Sequence, residues 1–242
     1  MAAVMSQIPK RNGWTIAAQA GDRAPDKTQR LLSRAVWDTS AAMAVARRFA
    51  VAGLDEAAAR TGRRRGLAVG ALDETGQVKA GELTAGVKRQ YLGCVGKVAN
   101  GINTVHLAYV REQTGHALIG AREWIPAEQL GDPARSAVMG LPEDLAFRTK
   151  GQLAIDILTE AFADGVRLDF VCGDETSDAV KLSSCMRKFP GAGGEGGGFV
   201  VVLAGGEAVV QAAEQAAEQV ALRGGVPVTG VSSPVVVGTG AG

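Results

Sequence analysis

The stretch Leu67-Ala68-Val69-Gly70-Ala71-Leu72-Asp73-Glu74-Thr75-Gly76 decides how this chain is read. Its first six residues form a short apolar run, suited to a strand buried on both faces. Asp73-Glu74-Thr75-Gly76 breaks the run, so the strand is expected to end there with Asp73 at its tip. A carboxylate just beyond a buried strand is held by a rigid element while its head reaches solvent or a metal ion.

Further strand candidates follow at short intervals. Gly86–Gly93 alternates Val87, Arg89 and Tyr91 against Lys88, Gln90 and Leu92, and Gly101–Val110 and His116–Trp124 come after Gly-bearing turns. Sequential strands with short connections predict an antiparallel meander. A polar connection with Pro126, Pro133 and Pro142 leads to an amphipathic helix over Gln152–Asp164, opened at Thr149 or Lys150. Gly165 closes that helix. Val166–Cys172 then reads as one more strand, running into Gly173-Asp174-Glu175. The block from 67 to 175 is therefore of the α/β class, with acids placed at strand ends.

Asp73 and Asp174 lie 101 residues apart at the ends of the first and last strands of this block. On neighbouring strands, two such carboxylates would converge on Mg2+ or Mn2+, whose preference for hard oxygen ligands excludes most other side chains. Two-metal sites of this kind clamp the attacking and leaving oxygens of a phosphodiester. Ordinary strand-end turn acids are the competing explanation at this point.

Upstream, residues 1–66 read as helical. Trp14–Ala20 is closed by Gly21, Gln29–Trp37 has apolar residues at helical spacing, and Asp38-Thr39-Ser40 caps a helix over Ala41–Ala52. The basic hinge Arg63-Arg64-Arg65 separates these helices from the first strand. Residues 1–66 carry 12 Lys/Arg against 5 Asp/Glu, while residues 151–242 carry 5 against 11. A basic leading segment in a chain of net charge +1 fits a polyanion-facing module, and a solvated basic helical surface explains it equally well.

The bulk composition excludes several classes. With 46% hydrophobic and 21% charged residues the chain is neither disordered nor membrane-spanning, and its N-terminus lacks the apolar core of a signal peptide. Cys94, Cys172 and Cys185 form no CxxC pair, which argues against a disulfide framework or zinc module and for a reducing cytoplasm. Gly191–Gly198 lacks the GK[ST] of a phosphate-binding loop. His106 and His116 have no partner at metal-ligand spacing and read as core or edge residues.

Several unusual combinations occur together and in order. Arg11-Asn12-Gly13-Trp14, Gln29-Arg30-Leu31-Leu32, Asp73-Glu74-Thr75-Gly76, Gly86-Val87-Lys88-Arg89-Gln90-Tyr91, Gly115-His116-Ala117-Leu118-Ile119 and Gly173-Asp174-Glu175 are similar to blocks of bacterial insertion-sequence transposases of the DDE endonuclease superfamily. The resemblance covers about residues 10–175. It implies a helical, DNA-binding region at 1–62, a partial ribonuclease H-like core of mixed sheet and helices at 63–185, and a divergent tail at 186–242. It also implies DNA cleavage and strand transfer with Mg2+ or Mn2+, acting on transposon ends and target DNA in the bacterial cytoplasm, by a chain that can pair as a homodimer. Asp73 and Asp174 then correspond to the first two of three metal-binding acids. Arg63, Arg64, Arg65, Lys88 and Arg89 are the candidates for contacts with DNA phosphates.

After Glu175 the resemblance stops. Residues 191–242 hold 14 of the 33 glycines, a composition that a frame change in a G+C-rich gene would produce. No glutamate downstream lies in a context similar to that of the third acid. Weak or absent cleavage is therefore expected, and a non-catalytic DNA-binding regulator or a non-functional transposase fragment are the alternatives.

Overall fold

The computed structural model describes residues 7–10, 12–36, 38–62, 66–173 and 201–203. They divide into two compact units, Met1–Ala42 and Met43–Gly242. Asp174 and the Arg63–Arg65 run lie outside the described residues.

In the first unit, α1 (Gly13–Gln19) and α2 (Asp26–Ser33) form a small helical pair. Asn12 opens α1: its Oδ1 accepts the backbone N–H groups of Trp14 and Thr15 at 3.0 Å each, and the Thr15 hydroxyl accepts the N–H of Asn12 in return. This reciprocal cap satisfies donors that a helix N-terminus otherwise leaves orphaned. Gly13 lies where a Cβ would come within 2.9 Å of Gln29 Cγ, so the small residue lets the two helices meet.

The second unit is built on a sheet. The long helix α3 (Thr39–Arg60) leads into β1 (Ala68–Val78), β2 (Lys88–Leu92), β3 (Lys97–Arg111) and β4 (Gly115–Glu123). Two short helices, α4 (Ala127–Leu130) and α5 (Pro133–Met139), precede α6 (Lys150–Ala163). The chain then gives β5 (Phe170–Gly173) and β6 (Val201–Leu203). The strand order is β2-β3-β1-β5-β6, with β4 also on β3. This is the mixed α/β arrangement expected, helices first and then a mixed sheet. No helix of the described residues is long and apolar enough to cross a membrane.

The pairing is not a simple meander. β1 passes over β2 and pairs antiparallel with β3 along its whole length, Ala68 opposite Arg111 through Val78 opposite Gly101. The 15 residues of β3 are long enough to take β2 at one end and β4 at the other. The first strand also extends past the expected stop. Thr75 and Gly76 stay in register with Thr104 and Asn103, so Asp73 sits mid-strand and not at a tip. What ends near Asp73 is the other neighbour: β5 runs parallel to β1 only from Val69–Phe170 to Leu72–Gly173. Residues 68–72 are buried and Asp73 is exposed, as expected of a strand that is central up to Leu72 and an edge afterwards.

One face of the sheet carries the core. Leu72, Val105, Leu107 and Tyr109 pack against Leu153, Ile157, Leu158, Ala161 and Phe162 of α6. Removing such side chains from water contributes roughly 25 cal/mol per Å2, and here it fixes the helix across β3 and β4. Gly120 of β4 makes the approach close, since a Cβ there would lie 2.3 Å from Ile157 Cγ2. α6 begins at a capping box in which Thr149 Oγ1 accepts the Gln152 N–H and Gln152 Oε1 accepts the Thr149 N–H. It ends at Gly165, as the sequence indicates. Ala50, Val51 and Leu54 of α3 cover the edge of the same core.

A bulge in β4 ties α3 to the sheet. Leu107 pairs with Gly120 and Ala108 with Leu118, so Ile119 is skipped. A bulged residue loses its ladder partner. The Ile119 carbonyl instead accepts a hydrogen bond from Arg47 Nε at 2.8 Å.

Candidate functional site

Side chains alternate across a strand, so consecutive residues of β1 serve opposite faces. Leu72 belongs to the face under α6, and Glu74 follows it there; Asp73 points to the other face, beside its register partner His106. The two acids of the Asp73-Glu74 pair therefore have different environments.

Asp73 is exposed, and its Oδ1 accepts the N–H of Glu74 at 2.7 Å, which orients the carboxylate along the strand. His106 is half-buried on β3, and its Nδ1 is buried with no hydrogen-bond partner among the described residues. Burial lowers the His106 pKa, and the Asp73 carboxylate opposes that shift. The imidazole thus favours its neutral form, in which a nitrogen lone pair is retained.

Glu74 is already engaged. Its Oε2 forms an ion pair with Lys150 Nζ, and both side chains are largely shielded. Lys150 is the first residue of α6, where the helix dipole disfavours a cation. The Glu74 carboxylate offsets that cost, and the Trp124 ring, 5.5 Å from Lys150 Nζ, adds a cation–π contact. Lys88 Nζ lies 5.9 Å from the same ring and pairs with Glu128. Trp124 thus lies near two cations, one on β2 and one on α6.

A pocket of about 370 Å3 opens on the Lys88 side. Its lining includes Lys88 and Arg89 of β2, Asn100 of β3, Glu128 and Gln129 of α4, and Arg135 of α5. Gln129 is buried and bonded at both ends of its amide: Oε1 accepts the Gly86 N–H at 3.0 Å and Nε2 donates to the Val87 carbonyl at 2.6 Å. Gly86 has φ +73, and a Cβ there would lie 2.7 Å from Glu123 Oε1, so only glycine fits this turn. Burial raises the pKa of Glu123, with Lys79 acting in the opposite sense.

Of the residues singled out from sequence, Asp73, Lys88 and Arg89 are placed, and Asp174, Arg63, Arg64 and Arg65 lie outside the described residues. Asp73 stands five positions along β3 from Gly101, the partner of Lys88, so Lys88 belongs to a neighbouring region and not to the Asp73 face. Sequence reading missed Lys150, Trp124, Gln129 and Arg135. Lys150 meets Glu74 across 76 residues, a separation at which no local pattern reports contact.

Carboxylate oxygen is the donor type that Mg2+ and Mn2+ prefer. Asp73 supplies it on an open face, opposite His106 in the β1–β3 register. Among the described residues no group of three His, Cys, Asp or Glu side chains is close enough to hold a metal ion. The described part of the site therefore fits a metal in donor chemistry and supplies part of a ligand set.

A family model described as DDE superfamily endonuclease matches residues 1–177. No curated protein and no solved structure matches the chain.

Proposed function

Because the chain belongs to the DDE superfamily of endonucleases, matched over residues 1–177, we propose that it is a transposase-type protein that binds DNA and holds Mg2+ or Mn2+ between Asp73 and Asp174. The family implies a DNA substrate and, in general, divalent metal. The finer assignment to transposon ends and target DNA, with one copy of the chain at each end, is part of this proposal.

The observation that carries it is the register of β1 with β5. Leu72 pairs with Gly173, and Asp73 and Asp174 are the next residues of the two segments. Asp73 would serve as one anionic ligand, held in place by the β1–β3 ladder and by the N–H of Glu74. A bound divalent cation supplies Lewis-acid stabilisation of the charge that develops on a phosphodiester. Lys150 neutralises Glu74 on the opposite face, which leaves Asp73 as the acid of the pair open to a metal ion. Arg63, Arg64 and Arg65 are assigned to duplex phosphate contacts, which position the DNA without reading its sequence, while Lys88 and Arg89 remain candidates for phosphate contact at the pocket beside them.

A second reading is DNA binding without cutting, which needs the basic residues and no metal. Nicking of supercoiled DNA in Mg2+ or Mn2+, alongside duplex binding in EDTA, separates the two. Cleavage lost in both Asp73→Asn and Asp174→Asn supports the metal-dependent reading. Metal-independent binding that both variants retain, with no nicking by the wild type, supports the second. Absence of DNA binding at low salt overturns both.

A further inference from the structure

We propose that the pocket between β2, the residue 79–87 connection and helices α4 and α5 binds one unpaired nucleotide of a DNA strand. The inference rests on the reading of the protein as DNA-binding and goes beyond it by assigning a separate site with its own ligand.

The pocket is built rather than incidental. Gln129 locks Gly86 and Val87 from one side, and Asn100 Nδ2 donates to the carbonyls of Lys79 and Gly81 from the other, at 3.1 and 2.7 Å. The walls are therefore fixed by side-chain amides before any ligand arrives, which limits the ordering cost of binding. At about 370 Å3 it lies near the lower end of the roughly 300–1,000 Å3 typical of small-molecule sites. That admits a nucleotide-sized group and excludes a duplex.

Its charge is arranged for a single phosphate. Lys88 is committed to Glu128, whereas Arg89 and Arg135 form no close ion pair among the described residues, Arg135 acting on Glu128 only at longer range. Guanidinium groups match phosphate oxygens in a planar, two-pronged fashion. Glu82 and Glu128 also line the pocket and would repel a second phosphate, so this is not a general polyanion surface. Lys88 also places the pocket beside the Trp124 ring, on the sheet face that α6 covers.

The test uses fluorescence anisotropy on the full chain with three probes: a blunt duplex, the same duplex with a short single-stranded 3′ extension, and excess deoxycytidine monophosphate as competitor. The wild type is expected to bind the extended duplex more tightly than the blunt one. Arg135→Ala should weaken binding to the extended duplex by about tenfold and change blunt-duplex binding less than about twofold. Arg135 lies exposed on α5, so its removal leaves the fold intact, which an unchanged thermal transition verifies. Equal losses for both duplexes, or no preference for the extension in the wild type, overturn the proposal while leaving DNA binding standing. Displacement by the monophosphate without any preference for the extension assigns the pocket to a free nucleotide and overturns the strand assignment. Failure to bind either duplex overturns the underlying reading as well.

Discussion

Arg47 Nε donates to the carbonyl of Ile119, the residue that the β4 bulge leaves without a partner in β3. The same guanidinium places Nη1 2.5 Å from Asp164 Oδ2 and Nη2 3.6 Å from Glu160 Oε2, so one buried side chain joins α3, β4 and the end of α6. Its burial is possible because each face of the guanidinium fork meets an acceptor. Truncation leaves the Ile119 carbonyl and the Asp164 carboxylate without that donor. Arg47→Ala should lower unfolding free energy by about 3 kcal/mol, measured by urea denaturation, and Arg47→Lys should recover only part because an ammonium cannot span the three acceptors.

Gly120 governs how closely α6 lies on the sheet. Gly120→Ala should destabilise by about 1–3 kcal/mol through collision with Ile157. The double variant Gly120→Ala/Ile157→Ala should be less destabilised than the sum of the single changes, since the second substitution removes the colliding atom. A double-mutant cycle by thermal or urea unfolding reads that coupling directly.

Tyr109 is buried and its hydroxyl donates to Asp55 Oδ1 at 2.7 Å, while Arg111 Nε lies 3.2 Å from the same oxygen. Burial is the main cause that raises the phenol pKa, with the Asp55 hydrogen bond second. Tyr109→Phe should cost about 1 kcal/mol. The loss should be smaller in an Asp55→Asn background, because the acceptor is then weaker; urea unfolding of the four proteins checks this.

Cys172 is buried on β5, and burial pushes its thiol up to about 12 from an ordinary value of 9.0. In a Cys94→Ser/Cys185→Ser background it should resist a thiol reagent at pH 8 until denaturant is added. The sign of the linked pH effect follows from the shift. Above pH 9 the unfolded thiol ionises while the folded one keeps its proton, so the unfolded state binds fewer protons and stability falls as pH rises. Below pH 9 this contribution is constant. Cys172→Ala should abolish that part of the alkaline decline in a urea titration at several pH values.

The elements of this fold with a strong local period were legible from sequence. Leu153, Ile157, Leu158 and Phe162 mark α6 by their spacing, and Thr149 and Gly165 mark its ends. The buried half of β1 was legible for the same reason. Its exposed half was not, because Thr75 and Gly76 belong to a strand only through pairing with β3, which no neighbouring residue reports. Val166–Asp169 were expected to be strand, yet only Phe170–Gly173 pair; Val166 and Leu168 are apolar because they pack on the α6 core. Asp73 was singled out by its position after an apolar run, although it stands mid-strand and not at the expected tip. The Lys150–Glu74 and Gln129–Gly86 contacts depend on the way the chain returns to the sheet, and the sequence does not encode that locally.

The four-residue pairing of β1 with β5 also has a kinetic meaning. β1, β3 and β4 lie within one continuous span of residues 68–123, so their ladder closes with modest loops. Val69 meets Phe170 only across about a hundred residues, and closing that loop costs entropy before any packing on α6 repays it. β5 should therefore dock late, after the antiparallel strands and α6 have assembled. Slowed synthesis or a weakened α6 would leave a population with Asp73 already in place on its ladder and the segment that carries Asp174 still unattached.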